Sequence, residues 1–231
     1  MIRRLVLVFV TVSVYGFAQS PARGHFESKF ENDVVAVYEI SLAPGETASA
    51  FQSAHDTVWL SLADATVTFA SGQTGKTEAR FAPGDARFFS SFETRSLTNT
   101  GAEVFRGLMI ALKARGLVSN GCECTGNTGK AICGCTGAGH LDSLWAFSLG
   151  EVTLAGTSLM AGEAFRSASI REDMLLLAIT DLTLADEANP DAETGNAVLR
   201  LKVADAVWIN GGRHKLKNIG REKARFVTLE F

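Results

Sequence analysis

The sequence predicts an all-β protein built from two tandem domains of one kind, and three observations carry that expectation. Residues 41–64, SLAPGETASAFQSAHDTVWLSLAD, lie without a gap over residues 158–181, SLMAGEAFRSASIREDMLLLAITD, at an offset of 117. At an offset of 119, RSLTNTGAEVFR (95–106) lies over HKLKNIGREKAR (214–225), matching Leu97, Asn99, Gly101, Glu103 and Arg106 to Leu216, Asn218, Gly220, Glu222 and Arg225. Self-similarity of this length marks a duplicated structural unit. Finally, the apolar residues of both copies are β-branched or aromatic, come in short runs and are separated by turn residues, while helical periodicity is nowhere sustained.

The chain opens with MIRRLVLVFVTVSVYGFAQS, which reads as a secretory signal peptide. Arg3 and Arg4 precede an apolar run from Leu5 to Tyr15, and Gly16 and Ala18 have the small-residue spacing that places cleavage after Ala18. The run is well short of the roughly 20 apolar residues that cross a bilayer. The mature chain is therefore expected to be exported, periplasmic or extracellular, and free of the membrane. Residues 19–33, QSPARGHFESKFEND, are polar and aperiodic and read as an N-terminal tail.

A first domain is expected over 34–115, with strands at 34–42, 57–62, 65–70, 86–92 and 103–112. A second follows over 144–231, with strands at 144–154, 173–184, 197–203, 206–209 and 224–231. Ala-Pro-Gly at 43–45 and 82–84, Ser-Gly at 71–72 and Gly-Gly at 211–212 supply turns. Many short strands at this spacing imply a sandwich or barrel, and the duplication implies two. With 231 residues, 46% of them hydrophobic and 20% charged, the chain is long enough for two such cores. Cleavage would remove two of the 22 basic residues and leave a formal charge of −5. A mildly acidic chain without a Lys/Arg cluster is a poor partner for nucleic acid, and no feature selects an oligomeric state.

Gly45 and Gly162, and the later blocks FAPGDARFFSSFETRSLTN (81–99) and KVADAVWINGGRHKLKN (202–218), resemble the two conserved motifs of the cupin superfamily. The resemblance runs from Val34 to Phe231 and implies two jelly-roll β-barrels, a bicupin. Family members typically hold Fe, Mn, Ni or Zn with an HxH pair, a glutamate and a histidine of the second motif. Counted from Gly45, those slots hold Phe51, Ser53, Thr57 or Val58, and Arg95. Counted from Gly162 they hold Ala168, Ile170, Met174 or Leu175, and only His214 is kept. One imidazole does not hold a divalent ion against water, because even catalytic sites use about three protein ligands. No barrel metal or other cofactor is expected.

Polar residues remain near the expected barrel mouths: His55, Asp56, Arg95 and Asn99 in the first copy, Glu172, Asp173, His214 and Asn218 in the second. A carboxylate beside a histidine can orient it, and an arginine can clamp a carboxylate bidentately. The same Asp and Asn residues also suit turns and strand ends, where their side chains bond backbone amides. Both readings stand for these eight candidates.

Between the repeats, residues 116–143 form a Cys/Gly-rich linker in which Cys122, Cys124, Cys133 and Cys135 make C-x-C-x8-C-x-C. The pattern is symmetric about Thr128-Gly129, as an antiparallel hairpin requires, so Cys122 would face Cys135 and Cys124 would face Cys133. Export favours two disulfides. A four-thiolate zinc site and a redox pair are the alternatives. The function expected is that of an exported, metal-free bicupin, a structural protein or one that binds a small molecule in a barrel. The alternative is a divergent cupin metalloenzyme, a dioxygenase, decarboxylase or isomerase, with a divalent metal near His214, Glu172 and Asp173.

Overall fold

A computed structural model of the chain describes residues 26–52, 55–71, 75–89, 94–113, 122–125, 145–149, 152–166, 172–191 and 195–231. The proposed signal peptide, and Cys133 and Cys135, lie outside the described residues. The first repeat runs through β1 (Phe26–Glu31), β2 (Val35–Leu42), β3 (Thr47–Gln52), β4 (Asp56–Ser61), β5 (Ala65–Ser71), β6 (Gly75–Phe81), β7 (Ala86–Phe89), β8 (Thr94–Asn99) and β9 (Phe105–Leu112). The second runs through β10 (Cys122–Thr125), β11 (Trp145–Leu149), β12 (Val152–Leu159), β13 (Ala164–Arg166), β14 (Met174–Ala178), β15 (Leu182–Asp191), β16 (Gly195–Leu201), β17 (Ala206–Ile209), β18 (Lys215–Asn218) and β19 (Ala224–Glu230).

Each repeat has a large and a small antiparallel sheet. The large sheets are ordered β1-β2-β9-β4-β7 and β10-β11-β12-β19-β14-β17, and the small ones β3-β8-β5-β6 and β13-β18-β15-β16. Without β10 the two sets have the same topology, as the duplication requires. No described ladder joins a large sheet to a small one. Each repeat is therefore an open two-sheet sandwich, which corrects the expectation of closed barrels.

Burial explains the residue pattern. Val35, Val37, Val58, Leu60, Leu108 and Ile110 of the first large sheet pack with Leu154, Leu175, Leu177, Val227 and Leu229 of the second in one core between the repeats. Alternate residues on the same strands point the other way. Ile40, Leu42, Trp59 and Met109 fill the first sandwich with Phe69 and Leu97, and Met174, Leu176 and Phe226 fill the second with Leu184 and Leu216. Strands buried on both faces need apolar residues at every position, which is why GLMIAL and MLLLAI are continuous runs.

Several expected elements differ from the structure for definable reasons. The end of the expected tail is β1, whose alternation a bulge between Ser28 and Phe30 disguises. The extra residue turns Phe26 and Phe30 to opposite faces. Phe26 meets Trp59 edge-on inside the first sandwich at 6.4 Å, and Phe30 stacks on Trp208 of the second repeat at 6.1 Å. The runs 144–154 and 173–184 each divide into two strands. The second division, at Ile179–Asp181, contains neither Gly nor Pro: the Thr180 hydroxyl accepts from the Arg225 amide (3.0 Å) and Asp181 accepts from the Val203 amide (3.1 Å). Of the small-sheet strands, β5 and β16 lie where expected, whereas β6 was hidden by its polar outer face, since only Ala79 and Phe81 in it are buried.

Cys122–Thr125, expected in a separate ribbon, is β10, the edge of the second large sheet, with Cys122 opposite Leu149 and Cys124 opposite Phe147.

Two glycines are fixed by the turn at the closed end of each sandwich. Gly45 (φ 77°) and Gly162 (φ 84°) are left-handed, and their amides donate to the Asn99 and Asn218 carbonyls at 2.8 Å. A Cβ at either would meet nothing within 4 Å. Gly45→Ala and Gly162→Ala should therefore each cost only the left-handed backbone term, about 1 kcal/mol. Urea unfolding checks this; a loss above about 3 kcal/mol would mean that packing, not conformation, decides the site.

Candidate functional site

The two ends of each sandwich have different chemistry. Asn99 and Asn218 stand at the closed end, buried to 0% and 1% exposure. The Asn99 amide nitrogen donates to the carbonyls of Leu42 (2.9 Å) and Glu103 (2.7 Å), and its oxygen accepts from Gly101 N (3.0 Å). Asn218 repeats the set on Leu159 (3.0 Å), Glu222 (2.8 Å) and Gly220 (2.9 Å). Gly101 and Gly220 accompany them because a Cβ would come within 3.3 Å and 3.2 Å of the asparagine oxygen. Both asparagines tie backbone segments together at the end of the sandwich where Gly45 and Gly162 turn.

At the other end of the second sandwich the structure brings two of the candidates, His214 and Asp173, together with Asp186 around one loop. His214 Nδ1 lies 2.7 Å from Asp186 Oδ2, and its Nε2 lies 2.8 Å from the Asn210 carbonyl. Asp173 Oδ1 accepts from the Gly211 amide at 2.7 Å. The Asn210–Arg213 segment is thus held from two sides. Asp186 also accepts from the amides of Lys215 (3.0 Å) and Ala188 (3.1 Å). Burial alone would raise its carboxyl; the bonds from His214, Lys215 and Ala188 outweigh burial and hold it below the usual range. Glu172 is exposed and stands apart.

Asp186 was not legible as a partner, because it sits in the unremarkable run ADEANPD and lies 28 residues from His214.

These residues do not fit the family's metal. His214, the one retained ligand, has a protein oxygen within hydrogen-bonding distance of each ring nitrogen, Asp186 Oδ2 at Nδ1 and the Asn210 carbonyl at Nε2. Of the two positions at the glutamate slot, Met174 is buried inside the sandwich at 1% exposure and Leu175 points into the core between the repeats. In the first repeat Thr57 (3% exposed) and Val58 divide in the same way. Phe51 and Arg95, the first and last slots, are opposed across the β3–β8 ladder. Among the described residues no group of three or more His, Cys, Asp or Glu could hold a metal ion.

The first mouth carries His55, half-buried at the bend before β4, and Asp56, which opens β4 opposite Leu112. Arg87 was overlooked by sequence reasoning. Its neighbours Ala86 and Phe88 belong to the core between the repeats, so Arg87 and Phe89 face the first sandwich. The Arg87 guanidinium lies 5.0 Å from the centre of the Phe81 ring.

No protein-family model matches the chain, and no curated protein matches it. Solved structures do. AerE from Microcystis aeruginosa is similar at a TM-score of 0.63 and 10% identity, covering 91% of this chain and 95% of that one. A vicilin from Solanum melongena, described with different anionic ligands in structurally similar pockets, gives 0.61 and 11%, covering 85% and 74%. A deletion mutant of Bacillus subtilis oxalate decarboxylase gives 0.58 and 12%, covering 94% and 78%. At such identities the likeness establishes the fold: this chain has the cupin fold in its two-domain form.

Two outcomes follow. Asn99→Ala and Asn218→Ala should each cost about 2–3 kcal/mol, since each leaves two buried carbonyls and an amide without a partner. Urea unfolding tests this; unchanged stability would return the pair to the ligand-binding reading. For Asp186, a lowered carboxyl contributes stability that is complete above the usual aspartate value and is lost as pH falls through the lower folded value. Asp186→Asn should therefore be less stable than wild type near neutral pH, with the gap closing below about pH 4. A gap constant down to about pH 2 would contradict this linkage.

Proposed function

We propose that the chain is an exported, metal-independent bicupin that serves as a small-molecule binding or structural protein and not as a catalyst. The observation that carries this reading is the state of His214. In a histidine metal ligand one nitrogen faces the metal while the other is oriented by a carboxylate or carbonyl. Here Asp186 takes the orienting side and the Asn210 carbonyl takes the side a metal would need. Met174 and Thr57 at the carboxylate slots support the same conclusion from both repeats. The structurally similar proteins include an oxalate decarboxylase and vicilins, so the fold by itself selects no role.

Export rests on Arg3, Arg4 and the apolar run that follows them. Disulfides Cys122–Cys135 and Cys124–Cys133 suit that destination.

Elemental analysis of the mature chain with its four cysteines replaced by serine separates metal in the sandwiches from metal on thiolates. The expected result is no stoichiometric Fe, Mn, Ni or Zn. One equivalent of transition metal per chain, lost on His214→Ala, would contradict the reading and favour the divergent metalloenzyme.

A further inference from the structure

We propose that Arg87 anchors a carboxylate-binding site in the first sandwich, taking a small monocarboxylate with an apolar or aromatic body. The assignment rests on the binding-protein reading above and names the class of ligand.

Four features of the structure point to it. The first is an unmet donor: Arg87 Nε is buried and has no hydrogen-bond partner among the described residues. A buried donor without an acceptor costs about 1–3 kcal/mol, and more for a charged group, so an acceptor supplied from outside the fold would recover that cost. Asp85, the nearest carboxylate in sequence, directs Oδ2 to the Ala82 amide at 2.8 Å. Burial pulls the Arg87 pKa down, and the charge of Asp85 only partly opposes it. The side chain is half-buried, with its Nε shut away from water.

The second feature is the twin. The β6–β7 and β16–β17 segments superpose at an offset of 120, so that Phe81 and Arg87 correspond to Leu201 and Val207. Val207 and Leu201 pack against the apolar interior of the second sandwich. The architecture is thus built without a cation at this place, and Arg87 is not required by the fold.

The third is the surroundings of the guanidinium. It lies over Phe81, its residue pairs across the ladder with Trp59, and Phe89 two residues on contacts Phe69 at 4.8 Å. Arginine on an aromatic face keeps the edge of its fork open for a planar carboxylate, and rings beside it suit an apolar ligand body. The fourth is the neighbouring row of the large sheet: Ala36, Ala111 and Thr57, with Phe89 opposite Thr57, stand where the second repeat has the bulkier Thr153, Glu230 and Met174, with Ile209 opposite Met174. Arg95, at a register position opposite Phe51 and Ser71 in the small sheet, adds a second cationic residue to the same end of the sandwich.

Titration calorimetry with sodium benzoate on the mature chain tests the site, with metal content measured on the same sample and Val207→Ala as a control in the other repeat. Wild type and Val207→Ala are expected to bind one benzoate saturably. Arg87→Met, close in volume, is expected to weaken binding by roughly ten- to a hundredfold, because a hydrogen bond to a charged group is worth about that factor. Arg87→Lys, which keeps the charge but loses the fork, should fall between them and serves where Arg87→Met does not fold. Benzoate binding unaffected by either substitution, or no saturable binding to wild type, would overturn the assignment. So would inorganic phosphate binding as tightly as benzoate, since the site would then not select carboxylates. The readings separate cleanly: a metal-free chain that ignores benzoate loses only this site, whereas a barrel metal defeats the metal-independent reading whatever benzoate does.

Discussion

Two large β-sheets packed back to back, each buried on both faces, are the constraint on which the rest of this structure depends. One face of each sheet fills its own sandwich, and the other closes against the second repeat. Fully burying an aliphatic side chain is worth about 1.5–3 kcal/mol, so the shared layer ties the repeats together far more strongly than any polar contact between them. One polar contact among the described residues, Arg225 donating to the Pro83 carbonyl at 3.3 Å, is minor beside it. Phe30 and Trp208 extend the same layer to the edges of the sheets.

The duplication also separates what both repeats keep from what only one has. Both keep backbone ties: the left-handed Gly45 and Gly162, Glu46 and Glu163 accepting from the Ala43 and Met160 amides at 2.7 Å, and Asn99 and Asn218. Asp56 and Asp173 are matched as well, at the other end of each sandwich. The residues that differ there set the local chemistry: the second repeat fastens its loop with Asp186 and His214, while the first carries Arg87 and Arg95.

Most of the architecture was legible in the sequence because the repeats and the doubly buried strands leave strong signals. The offset of 117 and the runs GLMIAL and MLLLAI located strands that the structure shows as β9 and β14 of the large sheets. What stayed hidden has physical causes. The β1 bulge placed Phe26 and Phe30 on opposite faces and removed the period-two pattern, and the turn at Ile179–Asp181 is made by side-chain hydrogen bonds instead of Gly or Pro. The mismatch with the ligand motif of the resembled family could be counted from the slots, Phe51 and Arg95 among them. The role of His214 could not, because it is decided by Asp186, a residue distant in sequence, and by a backbone carbonyl that no motif records. Arg87 was missed for a similar reason: inside an ARFF run it reads as an exposed position on a strand, and only the facing of β7 turns it inward.

The shared core is tested most directly by native-state hydrogen exchange on Ile110→Ala, a truncation in β9 of the first repeat read out on β19 of the second. Removing a buried Ile typically costs about 2–5 kcal/mol. If the back-to-back sheets make one cooperative unit, the opening free energies of the β9 and β19 amides fall together by the same amount. Protection lost from β9 while β19 stays unchanged would show two independently folding repeats and contradict the account.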